Sequence, residues 1–159
     1  MRPMFNKPSV RWAFGVLTVA LLAGPTASGQ MRPDAQGFLR ASPEDFAWNN
    51  GTAMQAIVVA GDPNKPGIYV LRNRFPPGVM TRPHFHNQDR FVTVIKGTWW
   101  TATGVDGDVF NPAKTVPQKT GTFMLHPAGA HHYDGAKDEE VIVQIIGMGP
   151  VTTTQVGGG

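Results

Sequence analysis

Cysteine is absent from this 159-residue chain. That removes disulfide stapling, thiolate metal sites, catalytic thiols and a lipid-bearing cysteine behind a leader. A bilayer-spanning run is missing too, because the apolar stretch from Trp12 to Ala23 falls well short of the ~20 residues that a transmembrane helix needs. Charge is sparse, with Asp, Glu, Lys and Arg at 16% and a formal net charge of +3. Even that excess belongs to one segment. Arg2, Lys7 and Arg11 precede the apolar stretch, and Gly24-Pro25-Thr26-Ala27-Ser28-Gly29 follows it. This is the order of a secretory signal peptide, with Ala27 and Gly29 at the −3 and −1 positions of a cut before Gln30. Cleavage of residues 1–29 leaves 11 basic against 11 acidic side chains. The remaining domain has no basic patch interleaved with aromatics to hold a phosphate backbone, which excludes nucleic acid as a partner. The expectation is a periplasmic or secreted protein with no membrane contact after cleavage.

What is present is turn chemistry and short β-branched runs. Nineteen glycines and fourteen prolines interrupt the chain too often for long helices. Residues 30–50 read as an N-terminal arm in which Ser42-Pro43-Glu44-Asp45 caps one short helix. Strands are expected at 56–60, 67–75, 90–96, 99–103, 122–125, 130–133 and 140–146, the last apolar enough to be buried on both faces. The stretch from Gly104 to Lys119 is a long loop of the kind that forms lids or binding edges. Residues 51–156 then make one all-β domain, a sandwich or barrel, with residues 157–159 as a tail.

Histidine placement carries the functional signal: His84 and His86 fall in one short stretch, and His126, His131 and His132 in another. On an extended chain His84 and His86 project to the same face. Neutral imidazoles suit Fe, Mn, Ni or Zn. The turn at Pro127 to Gly129 can bring a third imidazole opposite them. Adjacent residues on a strand face opposite ways, so only one of His131 and His132 points inward. His126 is read as a core or supporting histidine. Trp99 and Trp100 place one indole inside and one outside as barrel packing. Either Tyr133 or Asp134 can face the pocket as a proton donor or base.

Gly78, His84, His86 and Gly97, followed by Gly121, Pro127, Gly129 and His132, keep the spacing of the two signature motifs of the cupin superfamily, which this sequence resembles. The resemblance spans residues 78–136. It implies a single-domain jelly-roll β-barrel holding one divalent transition metal in its mouth, and it selects His132 over His131 as the third ligand. It also implies a small-molecule substrate, a homodimer, and most often oxygen-dependent oxidoreductase chemistry of the dioxygenase type; isomerases and lyases share the fold. Two positions depart from the motifs. Ala136 stands where the second motif ends in Asn, and Arg90 stands where the first has its glutamate ligand.

Three arrangements at Arg90 are open. In one, His84, His86 and His132 form a three-histidine centre and Arg90, on their face by strand parity, pairs a substrate carboxylate or enolate. In another, a bulge turns Gln88 or Asp89 inward as fourth ligand and Arg90 outward. In the last, no metal is held and the imidazoles with Arg90 bind an anionic small molecule, as a binding module and not an enzyme.

Overall fold

The computed structural model describes residues 31–157; the leader expected at residues 1–29 and the end of the tail lie outside the described residues. Ten strands are formed: β1 (Gln55–Ala60), β2 (Gly67–Phe75), β3 (His84–His86), β4 (Arg90–Lys96), β5 (Trp99–Thr103), β6 (Val116–Gln118), β7 (Phe123–His126), β8 (His132–Gly135), β9 (Val141–Gly149) and β10 (Thr153–Gln155). They pair antiparallel into two five-stranded sheets. The first has the order β1-β2-β9-β4-β7 and the second β10-β3-β8-β5-β6. Neighbours that are distant in sequence, such as β2 with β9 and β3 with β8, are what a jelly roll requires.

Alternation along the strands places the core between the sheets. In β2 and β9, Tyr69, Leu71, Phe75, Val141, Val143 and Ile145 turn inward, and Val92, Val94 and Trp99 join them from β4 and β5. Each large side chain so buried contributes roughly 1.5–3 kcal/mol. Trp99 is inside, whereas Trp100 lies outside beneath the Lys137 ammonium, 3.6 Å from the ring centre. The connection from β4 in the first sheet to β5 in the second turns at Gly97, whose φ of +75° suits glycine. A Cβ there would run into the Glu140 carbonyl.

Three expectations need correction. The strand β9 is not covered on both faces: Ile146 and Met148 are exposed, as are Phe91, Phe123 and Leu125 on neighbouring strands. The apolar run reflects an uncovered outer face and not a doubly buried strand. The helix expected after Ser42 is a single 3-10 turn, Pro43–Asp45, closed by Ser42 and Asp45 bonding each other. Residues 104–120 are not an open loop. They hold two 3-10 turns and β6, and they pack behind the second sheet, where Asn111 both donates to and accepts from the Tyr133 hydroxyl, at 3.0 and 2.7 Å.

Candidate metal centre

Short β3 exposes Phe85 partly and buries His84 and His86. Its register sets His84 opposite His132 on β8, and His86 opposite Thr153 on β10. The turn into β8 has Gly129 at a φ of +75°, and its amide donates to the His86 carbonyl at 2.7 Å. The ligand-bearing strands are therefore locked to one another by backbone.

Each of the three imidazoles is oriented from behind. Nδ1 of His84 lies 2.7 Å from the Arg82 carbonyl, that of His86 3.1 Å from the Thr152 carbonyl, and that of His132 2.9 Å from the Ala130 carbonyl. A carbonyl only accepts, so Nδ1 carries the proton in all three and Nε2 is left with a bare lone pair. The three ligand nitrogens lie within 4.8 Å of one another. Imidazole nitrogens this close together can be reached by one ion, whose bonds to them would run about 2.0–2.1 Å. His132 Nε2 is buried with no partner at all, although buried polar atoms are nearly always satisfied.

Burial drives the His86 pKa down to about 3, helped by the charges on Arg90 and its histidine neighbours. Burial also lowers that of His132, against the opposing pull of Asp134. Neutral rings are what a metal ion needs. The donor set, tautomers and unmet lone pair fit a divalent transition metal on His84, His86 and His132.

The first sheet forms the facing wall. Arg90 begins β4 opposite His126 and Gly147, and its Nη1 donates to His86 Nε2 at 2.5 Å. Its Nε is buried without a partner. Burial pushes the guanidinium pKa down, while Tyr69 and Asp134 hold it up. Strand parity expects Arg90 beside His84 and His86 on one sheet. Instead the chain crosses between sheets at residues 87–89, and Arg90 reaches His86 from the opposite side.

The bulged alternative is not adopted. Gln88 is half-buried and is not among the residues lining the cavity, and exposed Asp89 accepts from the Ala128 amide at 2.8 Å, holding the β7–β8 turn. Asp134 is buried on the ligand face of β8 and lines the cavity; with His126 and His132 it forms a second group of convergent donors. Tyr133 faces the other way, and its hydroxyl is committed to Asn111. Of the two alternatives, Asp134 faces the cavity and Tyr133 does not, since adjacent residues of a strand face opposite ways. His131 is outside, 2.6 Å from Asp108. His126 is buried between Trp99 and His132, its ring 4.0 Å from that of His132, with Nε2 unpartnered. Burial pushes its pKa down to about 2.

A cavity of about 310 Å³ opens between the walls. Its polar side is His84, His86, Arg90, His126 and Asp134; its apolar side includes Leu71, Val92, Val143, Ile145 and Val151. Among the described residues, none from 31–50 or from 104–120 lines it. Sequence reasoning missed a contributor at the other end: β10 supplies Thr153 and Gln155 to the lining, and the Thr152 carbonyl just before it orients His86. The β-branched run Val151-Thr152-Thr153-Thr154 was the available signal.

Two antiparallel sheets enclosing histidines at their mouth define the cupin fold, and solved structures agree. A cupin 2 conserved barrel domain protein from Leptotrichia buccalis superposes with a TM-score of 0.54 at 21% identity, over 70% of this chain and 48% of that one. The DMSP lyase DddQ from Ruegeria pomeroyi gives 0.54 at 12%, over 67% of this chain and 54% of the lyase. The polyketide cyclase RemF from Streptomyces resistomycificus gives 0.51 at 16%, over 62% and 68%. This chain thus spans about half the length of the first two. No protein-family model and no curated protein matches it in sequence. Such distant likeness establishes the fold, which by itself selects no reaction.

Proposed function

We propose that this protein is an exported metal-dependent cupin enzyme acting on a small anionic organic molecule, with His84, His86 and His132 as the metal ligands. The observation that carries this reading is the set of three Nδ1–H groups tied to backbone carbonyls, which leaves three unprotonated Nε2 atoms converging on one point. A divalent transition metal there would supply Lewis-acid or redox chemistry with open coordination positions. Arg90 provides the paired donors for a substrate carboxylate or enolate. The Asp134 carboxylate faces the same space and serves to accept or return a substrate proton. Leu71, Val92, Val143 and Ile145 keep water off the reacting end. An oxygen-dependent oxidoreductase of the dioxygenase type is the finer reading; a lyase or isomerase is the alternative.

Metal analysis of the protein purified without chelator tests it. About one equivalent of Fe, Mn, Ni or Zn is expected, absent from the His84→Ala/His86→Ala variant. A protein that holds none after loading with each of these ions in turn would overturn the reading. One observation favours a second reading, a binding module for organic anions without metal: Arg90 already occupies the His86 lone pair. Binding of a carboxylate that survives chelation and is lost in Arg90→Ala would support it.

A further inference from the structure

The His86 Nε2 lone pair is wanted twice. A metal at the three-histidine point must bond to it, yet the Arg90 Nη1–H donates to it at 2.5 Å. One lone pair cannot serve both, and a cation beside a guanidinium in a low-dielectric cavity is repelled as well. Arg90 must move before the site fills.

The cavity shows what would draw it away. Its Nε is buried and unpartnered, and no acidic side chain forms an ion pair with it among the described residues. A planar guanidinium in this condition is a receptor for a carboxylate, which accepts two parallel hydrogen bonds. An imidazole takes only one. With metal bound, the metal, Arg90 and Asp134 would carry +2, +1 and −1, an excess of positive charge that an anionic ligand neutralises.

The geometry points to Arg90 as a gate on the metal site. With no anion it caps His86 and competes with the metal; a carboxylate entering the cavity draws the guanidinium off and frees the third ligand. Metal and organic carboxylate therefore bind with positive coupling, and by linkage each raises the affinity for the other by the same factor. This rests on the three-histidine reading above and adds that the site binds its metal more tightly with its anionic ligand present.

Cobalt(II) titration tests the gate, followed by calorimetry and by the visible absorption of the bound ion, with and without saturating propionate. In wild type, propionate should tighten cobalt binding about tenfold or more, the worth of one charge-assisted hydrogen bond. In Arg90→Met, cobalt should bind about tenfold tighter than in wild type without propionate, and propionate should add nothing. Equal cobalt affinity in the two proteins, or the same propionate effect in both, overturns the gate while leaving the metal site standing. No cobalt binding by either protein under either condition overturns the metal site itself, and the gate with it. A wild-type measurement guards against a variant that does not fold. In metal-free protein labelled with ¹⁵N-histidine, propionate should move the His86 Nε2 resonance toward that of an unbonded ring nitrogen and leave His84 and His132 in place. A resonance that stays put at saturation overturns the proposal.

Discussion

On the second sheet, His84, His86 and His132 each have Nδ1–H bonded to a backbone carbonyl, whereas on the first sheet Arg90 and His126 each keep a buried nitrogen without a partner. Orientation from behind fixes the ligands before anything arrives, since a carbonyl within the strand framework moves only with the strand. The facing wall has no such support and is completed by what enters. One wall is preorganised and one is adaptive, a division that under the proposed function would separate holding a metal from choosing its companion.

The largest effect should come from breaking the preorganised wall. His132→Ala removes a ligand whose Nε2 has no other partner, and loss of one imidazole of three should weaken metal binding by about a hundredfold or more; equilibrium dialysis reads this directly. An unchanged affinity would mean that His132 is no ligand at all, because it belongs to both groups of convergent donors. Next comes the packing beneath both walls. Trp99 is buried against His126, 5.5 Å ring to ring, and Trp99→Ala should cost about 3–5 kcal/mol in urea unfolding.

A pH titration sharpens the comparison. The pKa values of His86 and His126 in the fold lie at about 3 and about 2, below the 6.5 of a free imidazole. Below pH 6.5 the unfolded chain therefore takes up protons that the folded chain refuses. Stability of the metal-free protein should be flat above pH 7 and fall as pH drops from 6.5 toward 3, read by thermal melting. His126→Gln should shallow that fall, and an equal slope in the variant would remove His126 from the account. The smallest effect belongs outside the cavity, where Arg74 and Lys96 hold Glu140 at 2.5 and 3.0 Å. Burial pushes the Glu140 pKa up, but the Lys96 and Arg74 hydrogen bonds prevail and hold it below the ordinary carboxylate value. Glu140→Gln should cost about 1 kcal/mol near neutrality, a difference that fades as pH falls through the carboxylate range.

Much of this architecture was legible because local chemistry and long-range packing agree. Gly67–Phe75, Arg90–Lys96 and Trp99–Thr103 are strands over the residues that alternation and flanking turns mark out. The His-x-His spacing places two imidazoles on one face by the period of a strand alone. Elsewhere the deciding contact is remote in sequence. Residues 153–155 pair with β3, and the β-branched run that suits them to a strand does not say which strand it will join. Tyr133 looked like a pocket residue because it neighbours a ligand; the segment around Asn111 that takes its hydroxyl is twenty-two residues away. Arg90 lines the same cavity as His84 and His86, as parity expects, but reaches it from the other sheet, because three residues sufficed to carry the chain across.

Gly147 pairs with Arg90 across β4 and β9, and a Cβ on it would meet the Tyr69 hydroxyl at 2.6 Å and the ring behind it at 2.8 Å. Even alanine there would push the phenol out of its place beside the guanidinium. Arginine at 90, tyrosine at 69 and glycine at 147 thus occupy one volume between them, so inheritance should treat the three as a unit. A smaller side chain at position 90 would leave space for the phenol to shift, and position 147 could then carry a Cβ.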